Sequence, residues 1–335
     1  MTGIARTRRH LGRDIALASV GGLAALAGLP RVAAAQSTAF PTRPIRVVVP
    51  FAAGSATDIM MRHLSPRMAE DLGQPITIDN RAGAAGVLGS EAVVRAPADG
   101  HTLAMAAVSS HAIAPALRKD MPYEVMRDFT PIGLACTSTN FIVVHPSVPA
   151  RTLQELVAYS KTLPGGVSYG SGGIGGSNHL AGEMLKLRTG ANLVHVPYAN
   201  QGQAVNDVVG GHVPMLIYTV AILPHVQAGR LRALAVTSED RQPQAPDVPT
   251  ALEQGAADVV ANSWFALFGP AGLADDRRDR LYRALASALR DPGIAAKLVE
   301  TGLTPAPLDP VAFRRFLVAE IAKWTEVGRA ANIQL

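Results

Sequence analysis

The 335-residue sequence has one cysteine, Cys136, few aromatic side chains (5%) and only 17% charged residues. A single cysteine excludes an intramolecular disulfide and any multi-cysteine metal or iron–sulfur site. Nothing beside Cys136 would lower its pKa, so it reads as a small buried hydrophobe. The low charge stands against 48% hydrophobic residues, which excludes a disordered chain. Its 31 glycines and 24 prolines are scattered without period, which excludes a fibrous protein. Beyond the N-terminus no run reaches 18 apolar residues, so no membrane-spanning helix is expected there. G-x-x-x-x-G-K, H-E-x-x-H, C-x-x-C and G-x-S-x-G are all missing, and no two of the nine histidines stand in ligand spacing. Neither a metal nor a cofactor is expected.

What is present begins with an export signal. Arg6, Arg8, Arg9 and Arg13 precede a 15-residue apolar run, Ile15 to Leu29, and then Ala33-Ala34-Ala35. A basic region, a short apolar segment and an A-x-A site mark a secretory signal. At 1.5 Å per residue the run spans about 22 Å, short of the ~30 Å hydrocarbon core. Thr7 to Leu11 resembles a twin-arginine signal, with Leu11 and Gly12 an imperfect match. Cleavage near Ala35 and a periplasmic location follow as expectations. The first 35 residues hold five of the 31 basic and one of the 26 acidic residues, so the remainder carries only +1 of the net +5. The high pI of 9.6 is therefore mostly a property of the signal. Nucleic-acid binding would need a basic stripe interleaved with aromatics, and none is present.

The length suits about two domains. Short β-branched runs alternate with helical patterns: Ile45–Val49 predicts a buried strand, and Thr57–Leu72 a helix bearing Ile59, Met60, Leu64, Met68 and Leu72. Further strands are predicted at 76–79, 102–107, 141–144, 167–169, 193–197, 214–218 and 231–236. Helices are predicted between them at 153–162, 178–189 and 201–209. This alternation implies α/β architecture, a mainly parallel sheet, and ligands at the carboxyl ends of strands. The C-terminal stretch reads as helices at 277–289, 292–301 and 310–330, punctuated by prolines at 242–249 and 305–310.

Three strand-to-helix loops offer chemistry. In Pro50 to Asp58, Ser55 or Thr57 can cap the following helix, whose first N–H groups lack intrahelical acceptors and favour an anion; a plain turn with Asp58 stabilising its own helix is an equal reading. In Gly170 to Asn178, Gly170, Gly172 and Gly175 satisfy G-x-G-x-x-G, but Leu193 to Tyr198 lacks the acid needed about 20 residues on. A dinucleotide site is excluded, and the glycines instead admit a small ligand close to the backbone. The third loop, Val196 to Gly202, offers Tyr198, Asn200 and Gln201 as uncharged hydrogen-bonding groups.

In order along the chain, these loops and the segments around them match a known family. The carriers include Pro41-Thr42-Arg43-Pro44 with Ile45 to Phe51, Gly54 to Asp58, and Asp79-Asn80-Arg81-Ala82-Gly83-Ala84-Ala85-Gly86. Asp99 to Leu103, Asp128 to Ile132, Ser171 to Glu183, Val196-Pro197-Tyr198, Leu231 to Ser238, Asp247 to Thr250 and Trp264 to Gly272 continue the match. Over essentially the whole chain after the signal, the sequence resembles the Bug or TctC-type periplasmic solute-binding receptors of tripartite tricarboxylate transport systems.

That resemblance implies a type II periplasmic binding protein fold, two α/β lobes with a ligand cleft at the hinge. It places lobe one at 36–138 plus 250–335, with the C-terminal helices, and lobe two at 139–249. It implies a monomeric receptor for a small organic carboxylate, held by backbone amides and waters and passed to membrane subunits or sensed. By position the ligand residues are Gly54, Ser55, Thr57 and Asp58 from lobe one, and Ser171, Gly172, Gly173, Gly176 and Ser177 from lobe two. Tyr198 and Asn200 join them from the third loop, and Ser109, after the strand at 102–107, is placed in the cleft by its own position. Where family members carry aspartates this chain has Pro214 and Tyr218, which points to a plain or aromatic carboxylate without an ammonium group. The competing expectation is an exported hydrolase or isomerase using His179 or Asp58 as base, for which the sequence offers no oriented partner.

Overall fold

A computed structural model describes residues 40–198 and 201–334; the expected signal, its cleavage point and Asn200 lie outside the described residues. The first strand, β1 (Ile45–Val49), carries three valines and is almost wholly buried, as suits a strand covered on both faces. Chain order continues with α1 (Ala56–Leu72), β2 (Ile76–Asn80), α2 (Val87–Val94), β3 (Thr102–Ala107), α3 (Ala114–Leu117), α4 (Val125–Asp128) and β4 (Phe129–Ser138). A second group follows: β5 (Phe141–Val144), α5 (Leu153–Thr162), β6 (Val167–Ser171), α6 (Ser177–Thr189), β7 (Leu193–Pro197), α7 (Gln201–Val209), β8 (Met215–Tyr218), α8 (Leu223–Gln227) and β9 (Arg232–Val236). The chain then returns through β10 (Ser263–Pro270), α9 (Asp275–Arg290), α10 (Pro292–Glu300), β11 (Thr304–Leu308) and α11 (Pro310–Ala330).

Two sheets result: one of six strands ordered β11-β4-β10-β3-β1-β2, the other of five ordered β7-β6-β8-β5-β9. Helices cover both, and the fold is a two-lobe α/β architecture. The sheets are mixed, which corrects the mainly parallel expectation. β1 pairs in parallel with β2 and β3, and β6 with β7 and β8, but β10 is antiparallel to β3 and β4, and β5 to β8 and β9. Crossing between sheets is the reason: β4 runs out toward the second sheet and β10 runs back, so the two lie antiparallel.

Two strands escape the period-2 reading because of their residues. β4 contains Pro131 and Gly133, and its pairing with β10 is irregular beside Phe268, which faces Pro131. A bulge is where a central strand can accept a proline. β11, sequence TPAPL, survives two prolines because it is an edge strand. Among the described residues no helix is long and apolar enough to cross a membrane.

The connections between sheets are tied together. Asn140 Nδ2 donates to the Ala261 carbonyl at 2.6 Å, and the Thr237 N–H donates to the Asn140 carbonyl at 2.9 Å. The Thr237 hydroxyl donates to Ala261 at 3.0 Å, so Asn140 and the segments through 237 and 261 form one buried knot.

Candidate ligand cleft

Between the sheets lies a cleft of about 290 Å³ at the carboxyl ends of β1, β3, β6 and β8. From the first sheet come Phe51, Ser55, Ala56 and Thr57 of the β1–α1 loop, then Val108 and Ser109 after β3. From the second come Gly172, Gly176, Ser177 and Asn178 of the β6–α6 loop, Gln201 of α7 and Thr219 after β8. Ser138, Asn140, Ser263 and Phe265 form the floor between them. No described lining residue carries a charge.

Attraction for an anion in this cleft can therefore come only from backbone and neutral polar groups. Ser55 caps α1, its hydroxyl accepting from the Asp58 N–H at 3.3 Å, and the first intrahelical bond runs from the Ile59 N–H to the Ser55 carbonyl. The Ala56 and Thr57 N–H groups precede that bond, and both residues line the cleft. At α6 the cap is Gly176, which has no side chain to offer, and the first intrahelical bond is Leu180 N–H to the Gly176 carbonyl. Asn178 Oδ1 accepts from the His179 N–H at 3.1 Å, leaving the Ser177 and Asn178 N–H groups forward of the helix. Two helix N-termini thus share one uncharged cleft, each a partial positive charge with open donors.

Asp58 builds the first loop from behind. It is 2% exposed, and its carboxylate accepts from the Gly54 N–H (2.8 Å), Arg62 Nε (2.9 Å) and Asn80 Nδ2 (3.0 Å). The Arg62 bond foremost, with those from Gly54 and Asn80, holds its pKa below the usual carboxylate value against the cost of burial. Asn80 also donates to the Phe51 carbonyl at 3.1 Å, and Gly54 takes φ +80°, which favours glycine. A side chain on Gly89 of α2 would strike the Arg81 carbonyl at 2.6 Å and Pro50 Cα at 2.7 Å, so α2 rests directly on the loop's root.

Beneath the second loop lies a histidine stack. His179 and His195 stack at 3.8 Å, and the buried Ser171 hydroxyl lies 2.5 Å from His195 Nε2. The Gly175 N–H donates to His179 Nδ1 at 3.2 Å, and the Gly173 N–H to Ser171 Oγ at 3.2 Å. On the inner side the Tyr169 hydroxyl donates to Glu183 Oε1 at 2.9 Å, and Lys186 Nζ donates to the same carboxylate. The glycine-rich loop is therefore hung from neutral imidazoles. Burial first, then the neighbouring His179 and Lys186, pushes His195 down to about 3 from an ordinary 6.5. A base whose folded pKa is lowered stabilises the fold fully above its unfolded value and loses that contribution as pH falls toward the folded one. Melting temperature is expected to fall from about pH 6.5 toward pH 4. His195→Gln, which keeps a partner for Ser171, should flatten that slope; an unchanged slope in thermal melts would refute the assignment.

Of the residues expected at the ligand, Ser55, Thr57, Ser109, Gly172, Gly176 and Ser177 line the cleft. Gly54, Asp58, Ser171, Gly173 and Tyr198 are not among the residues lining that cavity; the Gly54 N–H and the Asp58 carboxylate bond each other, the Gly173 N–H bonds the Ser171 hydroxyl, and the Tyr198 hydroxyl donates to Asp207 at 2.8 Å. Both bases of the enzyme alternative are likewise engaged in loop structure. Phe51, Ala56, Asn178 and Gln201 lie within the segments singled out above, whereas Ser138, Asn140, Ser263 and Thr219 were missed. Thr219 directly follows a predicted strand, a position that the carboxyl-end rule would have flagged. Tyr218 is half-buried and off the cleft wall, packed with the apolar cluster of the second sheet.

A family model described as the tripartite tricarboxylate transporter family receptor matches residues 60–333. The chain belongs to that receptor family. BugT of Bordetella pertussis is 36% identical over 95% of this chain and 98% of its own. Among solved structures, R. palustris Rpa4515 with adipate superposes with a TM-score of 0.75 at 32% identity, covering 88% of this chain and 99% of that one. MatC from Rhodopseudomonas palustris with bound malate gives 0.71 at 30% identity, covering 86% and 99%. As a member of this family the chain is a solute-binding receptor of the periplasmic type, with the two-lobe architecture described above.

Proposed function

We propose that the protein is a periplasmic receptor that binds a small organic carboxylate by lobe closure and delivers it to a tripartite tricarboxylate-type transporter. The observation that carries this reading is the pair of helix N-termini, one from each sheet, facing a single cleft without a charged wall. Hydrogen bonds to a charged group contribute ~1.5–3 kcal/mol each, and a helix dipole about 0.3–1 kcal/mol. Four such donors reach the ~8 kcal/mol that micromolar binding requires. The relatives solved with adipate and malate support a carboxylate as the ligand. Ser55, Thr57, Ser109, Gly172, Gly176 and Ser177 then serve as its contacts, with Asn140 and Thr219 beside them. Export by the N-terminal signal, with cleavage near Ala35, delivers the receptor as a monomer to the periplasm.

The neutral wall also narrows the ligand. An ammonium group would have no carboxylate to meet it, so acidic amino acids should bind worse than their deaminated analogues. Thermal-shift screening against a carboxylate panel tests both points. Ligand at 100 times its Kd should add ~2.7 kcal/mol of stability. A flat response to every carboxylate would refute the receptor reading, and glutamate outperforming glutarate would refute the ammonium argument.

A further inference from the structure

Two helix N-termini account for a carboxylate, and they leave the polar floor of the cleft without a task. Ser138 and Ser263 are partners in the β4–β10 register. Phe141 stands opposite Tyr218 where β5 pairs with β8, and one more step of that register sets Asn140 opposite Thr219. All four residues line the cleft, and two of them are engaged. Asn140 Nδ2 donates to the Ala261 carbonyl, and the Ser263 hydroxyl donates to Ser177 Oγ at 2.7 Å. The Ser138 and Thr219 hydroxyls have no hydrogen-bond partner among the described residues. Thr219 stands at the N-cap of the single turn Val220–Ile222, where a threonine side chain ordinarily bonds the helix, and it makes no such bond. Ser138 is only 7% exposed. A hydroxyl so far withdrawn from water costs free energy unless a partner meets it.

The chemistry of that partner follows from the two groups. Each hydroxyl both donates and accepts. No described lining residue carries a charge, so a second ionised group set against the floor would be held by neutral dipoles alone. A neutral hydroxyl on the ligand, which also donates and accepts, satisfies both groups without that cost. We infer that the ligand is a hydroxylated carboxylate: the helix N-termini hold its carboxylate, while Ser138 and Thr219 bond a hydroxyl on its carbon skeleton and so select it over the plain acid. The inference rests on the carboxylate reading above and narrows it. A plain acid of the same skeleton would set a methylene against the two hydroxyls. A site built for a hydroxyl rejects the analogue that lacks it, because its own polar groups are then left unpaired.

Calorimetric titration with acids that differ by one hydroxyl tests this: propionate and lactate, succinate and malate, tricarballylate and citrate, phenylacetate and mandelate, with both enantiomers of each chiral acid. In the pair that binds best, the hydroxy acid is expected to bind about 10–100-fold tighter than the plain one. Ser138→Ala and Thr219→Val should each weaken the hydroxy acid more than the plain acid and draw that ratio toward one. Thr219→Ser, which keeps the hydroxyl, should retain the preference. Equal affinities within every pair that binds would overturn the proposal, as would variants that weaken both acids alike; the ratio in the parent protein decides should a variant fail to fold. Binding of neither acid in any pair would defeat the carboxylate reading itself, whereas equal binding defeats only the hydroxyl preference.

Discussion

Ala56→Pro is expected to leave the fold intact and to weaken ligand binding about 10–150-fold. Ala56 is the first residue of α1, where proline is favoured because its missing N–H has no intrahelical partner and its fixed φ suits the helix. The preceding residue must be extended to tolerate proline, and Ser55 is, at φ −68° and ψ 161°. The cap from Ser55 to the Asp58 N–H and the bond from Ile59 to Ser55 both survive the substitution. What is lost is one N–H of a residue lining the cleft, a donor worth ~1.5–3 kcal/mol to a charged acceptor. Converted at 1.4 kcal/mol per tenfold, that gives the expected range. Ser177→Pro repeats the experiment on α6, where Gly176 is likewise extended at ψ 157°, although it also removes the hydroxyl that accepts from Ser263 at 2.7 Å. Ala56→Ser, which retains the N–H, should stay within about twofold. Parent-like titration of Ala56→Pro by calorimetry would show that the helix N-terminus is not the anion site.

The residues behind that prediction differ in how far they could be read from sequence. Ser55, Thr57, Gly172, Gly176 and Ser177 were accessible because a strand, a small-residue loop and an amphipathic helix follow one another in order, and that order alone places donors at a cleft. Asp58 shows the limit of this reasoning. A carboxylate in the first turn of a helix reads as near the ligand, but its partners Asn80 and Arg62 come from β2 and the next helical turn, and together they draw it inward. Likewise His179 and His195 are 16 positions apart with nothing in spacing to join them; the parallel pairing of β6 with β7 brings Ser171 and His195 to one layer. Ser138, Asn140 and Ser263 were hidden for a further reason. Ser138 and Ser263 sit at the ends of β4 and β10 and Asn140 in the link from β4 to β5, and Pro131, Gly133 and terminal Gly269-Pro270 interrupt the alternation by which those two strands would be recognised. The cleft walls were therefore legible and its floor was not, because walls are built by local strand–helix grammar and the floor by pairing over more than a hundred residues.

The largest loss of stability is expected from Glu320→Ala. Glu320 is 7% exposed on α11, and its Oε2 accepts from two indoles, Trp264 Nε1 at 2.9 Å and Trp324 Nε1 at 3.0 Å, while Lys323 pairs with Oε1. Both tryptophans are almost wholly buried, so removing the carboxylate takes the acceptor from two buried indole N–H donors. At ~1–3 kcal/mol per orphaned donor, and with Lys323 unpaired as well, the cost is about 3–5 kcal/mol. For a chain of this size that lowers Tm by roughly 5–8 °C. Glu320→Gln should lose less, because its amide oxygen still accepts from the indoles. A Glu320→Ala protein melting within a degree or two of the parent would mean that the indoles find other acceptors. The consequence reaches the cleft, since Trp264 lies between Ser263 and Phe265 on β10 and fixes the strand that presents both. Ligand binding adds stability only in proportion to the logarithm of its concentration over Kd. Saturating carboxylate should therefore raise parent and Glu320→Ala by similar increments if the floor keeps its shape, and raise the variant less if it does not.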